Sequence, residues 1–408
     1  MIFKNSLRTK MLVNSYALVL KDPDYRNLFI LNFGLSVLGA MLVPVFPLWV
    51  LQKVKVSVSE VFFILAIVGV GSAILNIVLG YLSDKIGKQK IFIEAALLLS
   101  IGRGILYSFF PLVGVIIAAS WLTQVSSGAL SFAMLKEKIL AKNQLPLEGQ
   151  ITSTVRAAVS IAFVIGPWLG ITLVHLMSFE TFYLLYAGLY FALYLIVKFK
   201  IQDSSTLVTA RAEQQSSVVL KSQLTPLALC LLLIVLLVAG NLSSSPLLVL
   251  ELQNHASALA IGIVFGVGPF FEVIAFPLIG HLNDKIGTYK TLLLGGLIGV
   301  AYFYLLSLSL NVYFIITCQI IGTLYVATLF STLMIYVQKV LGGKSGMSSS
   351  FYFSAVSLAG VFCNALLGTA LAKFDYSVGF LILAAVATSG IIVLLVARRF
   401  SQAFALVD

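Results

Sequence analysis

The stretch GYLSDKIGKQK, Gly80–Lys90, returns two hundred residues later as GHLNDKIGTYK, Gly280–Lys290, with seven of eleven positions identical. Self-similarity at a fixed offset marks an internal duplication, and it sets the architecture before any single element is assigned. Two shorter echoes keep nearly the same offset: PLWVLQ from Pro47 against PLLVLE from Pro246, and AVSIA from Ala158 against AVSLA from Ala355. Outward from these motifs the chain is nearly bare of charge. Of its 408 residues 60% are apolar and 10% charged, against about 45–50% and about 25% in an ordinary soluble domain. About 245 apolar residues, at roughly 20 per membrane-crossing helix, suffice for about twelve crossings.

The charges lie in clusters separated by long uncharged runs. Thr291–Gln338 would form a helix of roughly 72 Å, more than twice the ~30 Å hydrocarbon core, and so holds two spans with a turn at Asn311. Gly104–Leu135 turns near Pro111, and Asp22-Pro23 supplies an N-cap and a first-turn proline for span 1. The expected spans are 26–50, 59–82, 90–109, 112–135, 151–174, 180–197, 224–250, 258–281, 290–308, 312–337, 346–371 and 377–397. The fold class is therefore an all-α membrane protein with twelve transmembrane helices in two six-helix bundles. Its parts are a lead-in over 1–25, a bundle over 26–197, a polar linker over 198–223, a second bundle over 224–397 and a tail over 398–408.

A net charge of +11 would suit nucleic acid only if the basic residues shared one soluble face. Most of them fall instead in alternate connecting segments, and only Lys53, Lys55 and Lys373 fall in loops of the opposite side. The positive-inside rule then puts both termini in the cytoplasm. Cys230, Cys318 and Cys363 stand singly in apolar runs, and His175, His255 and His281 show no ligand spacing. Neither a metal site nor any other cofactor is expected, and no nucleophile–base pair or phosphate loop points to an enzyme.

Two parallel six-helix repeats are the architecture of major facilitator transporters. The loop pattern GxLxDxxGxxK resembles that superfamily's signature, through Gly80, Leu82, Asp84, Gly87 and Lys90, with Lys85, Asp284 and Lys285 in the paired copies. The resemblance implies a gating loop in which Asp84 faces the start of span 11, at Ser345, Gly346 and Met347. VRAAVSIAFVIGPWLG, Val155–Gly170, is similar to the sugar efflux transporter family, with Trp168 where that family has a second proline. FAMLKEK after Ser131, the surroundings of Glu272 and MIYVQKVLGGKSGMSSSFY from Met334 extend the likeness. GPxxG at Gly166–Gly170 also partly resembles the antiporter motif of drug exporters, with Ile171 where that motif has a further glycine. Gly166 and Pro167 suit either a bending element or a packing kink.

An ionisable group inside a span costs roughly 2.5–3.5 kcal/mol at the centre on insertion scales. Glu94, Arg103, Arg156 and Glu272 bear that cost. Glu272, deep in span 8, is the first choice for a proton-coupling or substrate carboxylate, with a buried lysine or arginine partner as the alternative. Arg156 is a gate or cavity candidate, whereas Arg103 and Glu94 suit snorkelling or pairing between helices. A sugar needs amides, hydroxyls and an aromatic face. Asn76, Trp121, Gln124, Asn241, Gln319 and Asn364 are the candidates, with Ser357, Gly360 and Gly368 on the stripe of Asn364. Interhelical hydrogen bonding is the competing role for them. Tyr183, Tyr186, Tyr190 and Tyr194 form a helical stripe suited to packing.

The expected function is a secondary transporter exporting small sugars or glycosides by alternating access and proton antiport. Its partners would be that substrate, protons and membrane lipid, not nucleic acid; it would act as a monomer in a bacterial cytoplasmic membrane. A multidrug/proton antiporter is the alternative within the superfamily. A non-transporting membrane sensor or scaffold is the alternative from another class.

Overall fold

In the computed structural model, Asp22 and Pro23 open the first long helix as expected: the Asp22 carboxylate accepts the Asp24 N–H at 3.0 Å, satisfying a donor at the helix start. The structure describes residues 16–86, 89–123, 127–144, 147–202, 224–309, 311–340 and 345–400. Among these, every regular element is helical. The first half of the chain comprises α1 (Pro23–Trp49), α2 (Val58–Ile86), α3 (Gln89–Phe109), α4 (Val113–Leu122), α5 (Ser127–Ala141), α6 (Glu148–Leu176) and α7 (Phe179–Lys200), with α4 and α5 at the expected span 4. The second comprises α8 (Leu224–Leu252), α9 (Ala258–Ile286), α10 (Thr288–Leu308), α11 (Val312–Ala327), α12 (Met334–Val340), α13 (Ser345–Ala370) and α14 (Tyr376–Phe400). Wider π-helical turns extend α1 over Val50–Val54 and join α11 to α12 over Thr328–Leu333.

Ten helices among the described residues are long and apolar enough to cross a membrane, and two shorter apolar helices, Val113–Leu122 and Ser354–Ala370, stand at the expected spans 4 and 11. The predicted turns hold. Asn311 caps α11, its side chain accepting the Tyr313 N–H at 3.0 Å, and Pro111 lies between α3 and α4. The repeated motif is less of a loop than its pattern suggests, because Asp84 and Lys85 belong to the last turn of α2, and Asp284 and Lys285 to that of α9. The reversal falls on one residue, Gly287, whose φ of 90° ends α9 and starts α10. A side chain there would clash with the backbone, so the motif needs glycine at this position.

The described residues form two compact units: those within Met1–Met41, Leu75–Gly166 and Met177–Ser216, and those within Leu42–Ile74, Pro167–Leu176 and Ser217–Asp408. In the first, α3 packs along α7 and against α4 and α5. Gly104 permits the α3–α7 approach, since a Cβ there would meet the Tyr183 carbonyl oxygen at 3.0 Å. In the second, α8 packs against α13 and α14, α10 against α14, and α9 against α11. The ends of α1, α2 and α6 belong to it as well: Ser59 of α2 bonds the Gly368 carbonyl of α13, and Trp168 of α6 covers Gly262 of α9. With little hydrophobic drive between helices in lipid, such small-residue contacts and interhelical hydrogen bonds supply the association.

Candidate functional site

Glu272 stands fourteen residues from either end of α9 (Ala258–Ile286), about 21 Å along the axis from each. Ala275 and Ile279 on the same side of α9 are buried against Ala327, with Leu324 beside it. One turn before Glu272, Gly268 faces Gln319 and Thr323 of α11, its carbonyl 3.3 Å from the Thr323 hydroxyl. Glu272 thus sits on the flank of the stripe that α9 presents to α11, between a polar and an apolar patch. It is half-buried, and among the described residues it has neither a hydrogen bond nor an ion pair. The lysine or arginine partner weighed from the sequence is not among them. A carboxylate at this depth with no cation to hold it ionised is able to take and release a proton.

The neighbouring polar side chains are engaged with each other. Gln319 accepts a hydrogen bond from the Tyr302 hydroxyl of α10 at 3.1 Å, and Tyr302 also pairs with Ser244 of α8. Asn364 of α13 is buried and accepts from Ser243 of α8 at 2.8 Å. Asn241 is half-buried, and its carbonyl accepts from Ser244 at 3.1 Å. On the stripe predicted for α13, Gly360 meets Leu242 and Gly368 meets Phe63. That stripe forms helix–helix packing along this length, and the amide oxygens of Gln319 and Asn364 tie helices together.

The remaining candidates are dispersed. Arg156 is exposed, eight residues into α6, with its guanidinium 5.6 Å from the Phe132 ring centre. Gly166 is a close-approach point at which an added Cβ would lie 2.5 Å from the Ala40 Cβ of α1, and Pro167 beside it is buried. Lys90 donates to the Lys198 carbonyl at 3.2 Å and stands 3.7 Å from Glu94. Asp284 and Lys285 are exposed, and Trp121 is half-buried at the end of α4. Asn76, Gly80, Asp84 and Lys85 are backbone positions of α2, while Gly87 and Gln124 lie outside the described residues.

The sequence model of the Major Facilitator Superfamily matches residues 28–253 and again 227–404, which together take in nearly the whole chain. The chain belongs to the major facilitator superfamily. Within it, this transporter is 22% identical over 390 residues to sugar efflux transporter A of Dickeya chrysanthemi, covering 91% of this chain and 95% of that one. It is 25% identical over 293 residues to the multi-drug resistance efflux pump PmrA of Streptococcus pneumoniae, covering 68% and 70% respectively. Among solved structures, a point mutant of the nucleoside transporter NupG superposes with a TM-score of 0.77 at 12% identity, over 92% of this chain and 99% of that one. A peptide transporter POT in complex with sulfate gives 0.72 at 14% identity over 92% and 94%. At these identities the structural likenesses show the shared fold.

Two polar clusters of this superfamily member stand out, the first at a residue expected to snorkel or to pair between helices and the second not expected. Arg103, read as snorkelling or paired, donates to the Thr123 hydroxyl at 2.9 Å and to Tyr186 at 2.5 Å, amid Tyr107, Tyr183 and Tyr190. The tyrosine stripe of α7 therefore packs around a cation. At the start of α1, Lys142 bridges Asp22 at 2.6 Å and Asp24 at 2.8 Å, and Lys138 holds Asp24 at 2.7 Å. The lysine–aspartate spacings exceed a hundred residues, and without the helix pairing nothing links them. Burial pulls the Lys142 pKa down, but its hydrogen bonds to Asp22 and Asp24 outweigh this and leave it raised.

Proposed function

We propose that this superfamily member exports small sugars or glycosides from the cytoplasm by alternating access, driven by proton entry through Glu272. The cargo class is supported by the similarity to sugar efflux transporter A along nearly the whole of both chains. It is also supported by intramembrane polar side chains that are mostly uncharged, which suit a neutral hydroxylated solute. The coupling role rests on one observation: Glu272 lies midway along α9, half-buried and without a cationic partner among the described residues. In this reading the protein acts as a monomer in a bacterial cytoplasmic membrane with both termini inside.

The energetics suffice. One proton moving inward gains about 2.3 kcal/mol per 100 mV, with about 1.4 kcal/mol more per pH unit. At 100 mV and half a pH unit that sustains roughly a hundredfold sugar gradient, since tenfold is about 1.4 kcal/mol. The test is efflux of labelled glycosides from sealed proteoliposomes, with and without an imposed proton gradient. Glu272→Gln abolishes uphill transport and spares downhill exchange of sugar for sugar. Unchanged coupling in that variant removes Glu272 from the mechanism, and sugar flux indifferent to collapsing both gradients removes antiport altogether. The similarity to PmrA and the GPxxG stretch Gly166–Gly170 favour a second reading, drug export. A panel of cationic drugs moved in place of glycosides in the same vesicles would establish it.

A further inference from the structure

A cleft of about 480 Å³ opens between the start of α1 and the end of α7, lined by Pro23, Arg26, Asn27, Ile30, Ile196, Phe199 and Lys200. All of these residues lie in the first compact unit. Two features set the cleft apart. Arg26 and Lys200 are exposed, and among the described residues neither side chain has a carboxylate or a hydrogen-bond partner. Asp22 and Asp24, the acidic groups beside Arg26 in sequence, are already occupied by Lys142 and Lys138, so among the described residues no carboxylate compensates the charge of the cleft. The walls beside the cations are apolar and open: Phe199 is 71% exposed and Ile30 40%.

The cleft is held in shape by the chain itself. Asn27 donates its side-chain amide to the Lys200 carbonyl at 2.9 Å, which ties the last turn of α7 to the first turn of α1 and satisfies a carbonyl left over at the helix end. Arg26 in the first turn of one span and Lys200 in the last turn of the other are at interfacial depth. An occupant must therefore be anionic at one end and hydrocarbon at the other, and must reach the site from within the bilayer.

We propose that this cleft binds an anionic phospholipid, with Arg26 and Lys200 on the headgroup phosphate and Phe199, Ile196 and Ile30 along the upper acyl chain. Basic pockets between transmembrane helices recognise anionic headgroups by this combination of charge and depth. The guanidinium of Arg26 presents a planar donor fork to phosphate oxygens, and the Lys200 ammonium adds a point charge. The inference is independent of the cargo and of Glu272.

The test uses the full chain, purified in detergent and titrated with phosphatidylglycerol or phosphatidylcholine, with retained lipid counted by native mass spectrometry. Wild type retains phosphatidylglycerol in preference to phosphatidylcholine. Arg26→Gln and Lys200→Gln each weaken that preference about fivefold, the factor corresponding to about 1 kcal/mol per cation at a lipid surface. Arg26→Lys keeps most of it, and Phe199→Ser weakens lipid retention without affecting binding of soluble glycerol phosphate. Arg399→Gln, at an exposed cation on α14, leaves the preference intact. An equal loss in Arg399→Gln would mean general surface attraction and overturn the site. Competition by soluble glycerol phosphate at equal affinity would mean a free-anion site and overturn the lipid assignment. Each variant is scored only after its melting profile in phosphatidylcholine matches wild type, and Arg26→Met or Lys200→Met, which remove the charge and keep the side-chain length, takes the place of a glutamine variant that does not fold.

Discussion

Gly166→Ala should loosen the contact between α6 and α1. The added Cβ would lie 2.5 Å from the Ala40 Cβ, 3.1 Å from the Val37 carbonyl oxygen and 3.3 Å from the Ala40 carbonyl carbon. Carbon atoms rest at about 3.5–4.0 Å, so the helices must part by about 1 Å against backbone that cannot rotate away. Overpacking of this kind costs about 1–3 kcal/mol, offset by the roughly 0.8–1.0 kcal/mol that alanine gains over glycine within a helix. The expected net loss is about 0–2 kcal/mol, centred near 1. Gly39→Ala is the internal control, because nothing lies within 4 Å of a Cβ there and only the propensity gain remains. In the double variant Gly166→Ala/Ala40→Gly the closest clash is gone while the Val37 oxygen stays, so the pair should couple favourably by about 1 kcal/mol. Cys230, Cys318 and Cys363 are all free and buried, so a thiol-reactive dye reports unfolding, read as an apparent midpoint at one scan rate. Because Ala40→Gly itself forfeits about 0.8–1.0 kcal/mol of helix propensity, Gly166→Ala should lower the midpoint less in the Ala40→Gly background than in wild type, while Gly39→Ala melts at or above wild type. A Gly166→Ala protein melting with Gly39→Ala, or an equal loss from Gly166→Ala in the wild-type and Ala40→Gly backgrounds, refutes the close-approach account and leaves Gly166 as a flexible point.

Two further outcomes follow from the two polar clusters. Tyr186→Phe removes a hydrogen bond from Arg103 and should cost about 1.5–3 kcal/mol. Arg103→Met should be far milder, since Tyr186 retains Tyr190 and Thr123 retains the Ala119 carbonyl; a larger loss in Arg103→Met than in Tyr186→Phe would contradict this in the same melting assay. The second concerns alkali. Because the folded pKa of Lys142 is raised above the ordinary ~10.4, its ties to Asp22 and Asp24 contribute fully below that value and fade as pH climbs through the folded one. The midpoint of wild type should therefore fall towards that of Lys142→Met above about pH 10.5, and parallel pH profiles would exclude the clamp from stability.

Much of the architecture was readable because its cause is one-dimensional. Span count, the turns at Pro111 and Asn311 and the duplication at Gly80 and Gly280 all follow from where charge is missing and where a motif returns. The lone carboxylate was readable too, since a glutamate fourteen residues into an uncharged run has no route to water. The choice between the two roles open to Gln319 and Asn364 was not. Each is a polar residue on an apolar helix, and such a residue serves a ligand or a neighbouring helix according to which way that helix is turned. The clamp of Asp22, Asp24, Lys138 and Lys142 was hidden for a related reason: its members looked like ordinary charges flanking separate spans.

By itself the sequence determined a twofold-repeated, membrane-crossing helical protein, because hydrophobic length and charge position act on the chain locally and survive any arrangement of the helices. Only the tertiary structure decided which intramembrane polar groups are held. Successive helical residues point about 100° apart, and their partners depend on the rotation and depth of helices distant in sequence. Those two quantities join Gln319 to Tyr302, Asn364 to Ser243 and Arg103 to Tyr186. They leave Glu272, and at the bilayer edge Arg26 and Lys200, without a partner among the described residues.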